Sequence, residues 1–152
     1  MANWKSACID IDILIYGGFC TPCVFGENAY KVDQRTSCPK YTISYSIVAL
    51  SSQMLGAMMG NFIIPLDPTT MTLCANLCNN FAIGIYAGNM RTKMRNKYLL
   101  SGSQEKDIVL HFMFTSCAIC QEAQEIREQS KTEELNHYHQ YAIIPEIQAM
   151  ER

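Results

Sequence analysis

Between Tyr41 and Met90 the chain carries one carboxylate, Asp67, and no Lys, Arg or His. A run of this length without charge has to be covered by a core, a partner or a lipid bilayer. Asp67 stands between Pro65 and Pro68, which is a turn signal. The run therefore divides into two helical segments, 41–64 and 69–90, that read as a helical hairpin. At ~1.5 Å per residue the first covers about 36 Å, and the second is again long enough for a hydrocarbon core of roughly 30 Å.

Neither segment is strongly apolar. The first holds Ser44, Ser46, Ser51, Ser52, Gln53 and Asn61, and the second Asn76, Asn79 and Asn80. In lipid such groups have to face a neighbouring helix or a wet cavity. Each segment also has two glycines four apart, Gly56 with Gly60 and Gly84 with Gly88. That spacing puts two side-chain-free patches on one helical face and favours close packing within a hairpin or an oligomer. The competing reading is a buried helical core in a soluble all-α protein.

The net charge of −2 hides a segregated pattern. Lys31, Arg35 and Lys40 precede the apolar run, and Arg91, Lys93, Arg95 and Lys97 follow it. The turn at 65–68 has no positive charge, so the positive-inside tendency places both termini on the cytoplasmic or equivalent side. Anionic lipid headgroups explain Arg91, Lys93, Arg95 and Lys97 better than nucleic acid does, because interleaved stacking aromatics are missing.

Eight cysteines are many for 152 residues. Cys20-Thr-Pro-Cys23 and Cys117-Ala-Ile-Cys120 have the spacing of zinc knuckles, with Cys38 and His111 as further ligands of one structural zinc site. Reduced, unliganded thiols are the alternative. A thioredoxin-type redox pair needs a βαβ context that the sequence does not offer. Cys74 and Cys78 read as packing residues, and nothing singles out Cys8.

Before Cys20 an extended stretch is expected near 9–16, and a short helix between Val24 and Arg35. A long C-terminal helix is expected from Gln104 to about Lys131, apolar at first and Glu-rich later, with residues 132–152 as a tail. Asp107, Glu122 and Glu125 can be read as a cation-binding or acid/base set, or more simply as a solvated helix face. The fold class is mainly α: a membrane-associated hairpin (41–64 and 69–90), the long C-terminal helix, and a small Cys-rich N-terminal element in one domain over 1–131. No phosphate loop, Ser-His-Asp set or zinc-protease motif is present, so no enzyme is expected.

Cys20-Thr-Pro-Cys23-Val-Phe-Gly26, Val32-Asp33 and Cys38 are followed by Tyr86, Arg91, Arg95 and Tyr98-Leu99-Leu100, then by His111 and Cys117-Ala-Ile-Cys120-Gln-Glu122. In this order they resemble the placenta-specific-eight cysteine-rich family, which includes plant cadmium-resistance proteins and fruit-weight or cell-number regulators. The resemblance implies a small non-enzymatic membrane protein that forms homo- or hetero-oligomers and is associated with divalent cations. Phe112, Phe114 and Phe19 stand where relatives commonly carry further cysteines, which weakens any cysteine-lined path. Two functions are open: a self-assembling protein of divalent-cation handling or its regulation, or a structural accessory subunit of a larger membrane assembly.

Overall fold

A computed structural model describes Asp12, Ile13 and Ile15, then residues 20–63, 65 and 67–150, with side chains as far as Tyr138. Four helices succeed one another: α1 (Thr21–Val32), α2 (Cys38–Ile63), α3 (Pro68–Lys97) and α4 (Gln104–Met150). The mainly helical class and the hairpin expected from the sequence are both present. Most of the expected extended stretch at 9–16 lies outside the described residues, and Asp12, Ile13 and Ile15 are helical.

Local chemistry sets the helix ends. Pro22 and Pro68 stand in the first turns of α1 and α3, where the missing N–H costs nothing. Asp67 caps α3 by accepting from the Thr70 backbone N–H at 2.8 Å. Hydrogen bonds from the Thr70 hydroxyl and amide hold the Asp67 carboxyl below its ordinary range. Past Lys97 the chain turns through Leu99 at φ 54°, and the Leu100 N–H reaches back to the Arg95 carbonyl at 3.0 Å. Glycine usually fills that left-handed position.

α2 and α3 run antiparallel in constant register. The Tyr86 hydroxyl donates to Ser44 Oγ at 2.9 Å, and Ser52 Oγ donates to Asn79 Oδ1 at 3.3 Å. Farther on, a Cβ added at Gly56 would lie 2.5 Å from the Cys74 carbonyl oxygen, and one at Gly60 would lie 2.6 Å from Met71 Cα. The two backbones therefore touch along the turn half of the hairpin. Phe25 of α1 closes the other half, with ring centroids 4.9 Å from Tyr45 and 5.4 Å from Tyr86. Val24, Ala29, Ile83, Ala87 and Ile119 complete this core.

The outside of the hairpin is mostly apolar, with Gln53, Asn61, Asn76 and Asn80 exposed among the apolar residues. Ile43, Ile47, Leu50, Met54, Met58 and Phe62 recur at helical spacing along α2 and are all exposed, Phe62 to 89%. Leu73, Leu77, Phe81 and Ile85 do the same on α3. From Ile43 to Ile63 this surface extends about 30 Å. Among the described residues α2 is the one helix long and apolar enough to cross a membrane.

α4 departs from the single straight helix expected. Phe114 has φ −139° and ψ 50°, outside the helical region. His111 Nε2 nevertheless lies 2.7 Å from Glu122 Oε1. Along a straight helix eleven residues span about 16 Å, so the chain must fold back at Phe114. Residues 104–113 pack along α3, with Ile108 against Gly88 and Phe112 against Gly84. They descend toward the turn end of the hairpin, and residues 115 onward climb back. Helical backbone then continues to Met150, where a tail was expected from residue 132.

Candidate functional site

The charge-rich end of the hairpin holds a buried chain of alternating charges. Arg95 Nε lies 3.1 Å from Asp107 Oδ2, and Asp107 Oδ1 lies 3.4 Å from Arg91 Nε. Arg91 Nη1 continues to Glu122 Oε1 at 3.3 Å, and that oxygen also meets His111 Nε2. Thr92 Oγ1 donates to Asp107 at 2.8 Å, and Arg91 Nη2 donates to Gln121 Oε1 at 2.8 Å. Side-chain exposure is 3% for Arg91, 5% for Asp107, 3% for Glu122 and 0% for His111. The set bridges α3 and both arms of α4, so it fastens the fold-back at Phe114.

Charges this deep are tolerable only because each has opposite charge or donors beside it. Glu125, also buried, accepts from Gln129 Nε2 at 2.8 Å. Asn28 of α1 donates to the Ile119 carbonyl at 3.0 Å and ties α1 to the returning arm. His111 Nδ1 and Glu125 Oε2 find no hydrogen-bond partner among the described residues.

Several sequence expectations change here. Asp107, Glu122 and Glu125 are not a solvated face but buried, because the fold-back brings α4 against itself and against α3. Arg91 and Arg95 are not free for lipid headgroups, since their guanidinium groups are spent on Asp107 and Glu122. Only Lys93 and Lys97 of that quartet lie exposed. They line an open pocket of about 650 Å³ with Val32, Asp33, Gln34 and Arg35 from the α1–α2 connection. The Arg35 backbone N–H and the Lys93 ammonium hold the Asp33 carboxyl below its ordinary range.

The proposed zinc ligands are not gathered. Cys20 and Cys23 are joined as a disulfide, where reduced thiols were expected. Cys117 is exposed, Cys120 is buried with Sγ 3.6 Å from the Ile13 carbonyl, and Cys38 is half-buried at the start of α2. His111 is committed to Glu122. Among the described residues no three His, Cys, Asp or Glu side chains are placed to hold a metal ion. With Cys20 bonded to Cys23, the described cysteines as placed here do not form a structural thiolate zinc site.

Gly56 and Gly60 seat α3 against α2 within one chain, while Gly84 and Gly88 seat the first arm of α4. The sequence marked these positions as packing sites. What it could not mark was the partner of Gly84 and Gly88, because the reversal at Phe114 has no Gly or Pro to announce it.

The sequence profile of the PLAC8 family matches residues 4–125. Protein PLANT CADMIUM RESISTANCE 10 of Arabidopsis thaliana is 31% identical over 142 residues, covering 84% of this chain and 63% of the relative. Cell number regulator 5 of Zea mays is 28% identical over 132 residues, covering 84% of this chain and 65% of the relative. The chain thus spans somewhat less than two thirds of each of these proteins. No solved structure matches it. With the family profile covering the hairpin, the buried ion pairs and both Cys-x-x-Cys elements, the chain belongs to the PLAC8 family.

Proposed function

We propose that the chain is a small non-enzymatic membrane protein whose hairpin spans the bilayer, self-assembles, and takes part in divalent-cation handling or its regulation. The observation that carries this reading is the outward apolar surface of the hairpin, about 30 Å long on α2 and about 18 Å on α3, with lysines and arginines at one end. A soluble protein would turn this stripe inward. Here the α2 face directed outward is the apolar one, and water would have to cover it.

Self-assembly is supported by what that surface also contains. Asn76 and Asn80, one turn apart on α3, are exposed beside Leu73 and Leu77. In hydrocarbon their amides need partners, which a second hairpin supplies. A cation route through one hairpin is ruled out by the backbone contact at Gly56 and Gly60. Any such route therefore runs between copies, with the Asn76–Asn80 face along it. The cadmium-resistance name of the Arabidopsis relative supports a divalent cation as cargo.

The first arm of α4 adds a shallow contact. By register Phe112 is level with Gly84 of α3, about 6 Å past Ile43 into the apolar zone. Val109, Met113 and Phe114 are exposed there and reach into the interface between headgroups and acyl chains.

A second reading is an accessory subunit of a larger membrane assembly. It is favoured by the end of α4, where all side chains from Lys131 to Tyr138 are exposed. Native mass spectrometry in mild detergent separates the two. Homo-oligomers that fall apart in Asn76→Leu/Asn80→Leu support self-assembly, and one copy travelling with unrelated chains supports the accessory role.

A further inference from the structure

The pocket between the α1–α2 connection and the end of α3 is built around one carboxylate. Asp33 Oδ2 lies 3.4 Å from Lys93 Nζ, and Asp33 Oδ1 lies 3.9 Å from Arg35 Nε. Lys97 Nζ donates to the Lys31 carbonyl at 2.6 Å, which fixes the third cation at the rim. The pocket lining thus holds three cations and one carboxylate, with Asp33 paired to Arg35 and Lys93 only, so it keeps positive charge. Its cations remain accessible, with side-chain exposures of 93% for Arg35 and 59% for Lys93.

A second cleft of about 150 Å³ adjoins it and shares Lys93. Phe25, Tyr41, Tyr86, Asn89 and Met90 form the rest of its lining, so it is mostly aromatic and apolar. Lys93 lies eight residues, about 12 Å, beyond Ile85, the nearest outward apolar residue of α3. The charged pocket thus stands at headgroup height, and the aromatic cleft leads from it toward the apolar girdle. A soluble anion would use the pocket alone. A phospholipid uses both, through charge-assisted bonds to its phosphate and apolar contact with its glycerol and first acyl carbons.

We propose that Arg35, Lys93 and Lys97 bind the phosphate headgroup of an anionic phospholipid whose glycerol end enters the Phe25–Tyr41–Tyr86 cleft. This rests on the membrane reading given above. The site is distinct from the buried ion pairs, and it replaces the Arg91–Lys97 quartet as the headgroup contact.

The test is lipid retention by the full chain, purified in mild detergent with equal phosphatidylserine and phosphatidylcholine and read by native mass spectrometry. Wild type keeps phosphatidylserine preferentially, and Lys93→Glu lowers that retention by about tenfold. Lys131→Glu, the same charge change away from the pocket, leaves it unaltered. Equal retention by wild type and Lys93→Glu overturns the proposal. Displacement of the lipid by equimolar inorganic phosphate makes the site one for soluble anions and overturns the lipid assignment. Alkaline carbonate extraction of the source membranes scores insertion separately. A chain released to the aqueous phase overturns the membrane reading together with this site, whereas an inserted chain indifferent to Lys93→Glu overturns the site alone.

Discussion

Arg91 is the residue on which the charged end depends. It stands between Asp107 and Glu122, and removing it takes away the cation they share, leaving Asp107 only Arg95 and Glu122 only His111 as ionic partners among the described residues. Arg91→Met should destabilise the protein by about 3–5 kcal/mol, whereas Lys93→Met should stay within about 0.5 kcal/mol. Thermal melting in mild detergent measures both. Asp67 offers a test by pH. Its folded pKa is depressed, so its contribution is present above the unfolded value, about 3.9, and is lost as pH falls through the lower folded value. Asp67→Asn, which keeps a capping oxygen, should therefore flatten the acid side of the melting profile below about pH 4. In the sequence Arg91 and Lys93 look alike, two residues apart in one basic cluster. A helix turns that separation into opposite faces, and only the carboxylates returned by the fold-back decide which cation is buried. Asp107 and Glu122 were legible as a group, but their burial was not, because a solvated helix face is the simpler reading of carboxylates with no partner visible in the sequence.

The helical hairpin was the most legible element. A charge-free run broken by Pro65-Leu-Asp67-Pro68 leaves little else, and the register is fixed by glycines visible in the sequence. Gly56→Leu should force α2 and α3 apart at Cys74 and Ala75, costing about 3 kcal/mol or more and lowering helicity and melting temperature together. α4 was legible only in part. Its change from apolar to Glu-rich was plain, yet the reversal at Phe114 is made by tertiary contacts, chiefly Ile108 and Phe112 on Gly88 and Gly84. If this arm dips into the interface, a tryptophan placed there should be quenched by lipid. With Trp4→Phe removing the native fluorophore, Phe114→Trp should be quenched by acyl-brominated phosphatidylcholine. Emission like that of free tryptophan in water, unaffected by bromine, would count against the dip.

At the scale of the whole molecule, an apolar girdle with a charged end divides the surface into two environments. The paired cysteines, which looked in sequence like one metal centre, contribute a local disulfide and a buried contact at Ile13. A chelator should accordingly leave the melting temperature unchanged. The proposed membrane crossing is tested most directly by topology. One short epitope is inserted in the connection between α2 and α3, and a second is added after Arg152. Antibody access is then scored in intact and in permeabilised sealed vesicles. A spanning hairpin puts the two epitopes on opposite sides of the membrane, each reached only from its own side. Both epitopes on one side would contradict the crossing and leave the apolar girdle to be covered by protein.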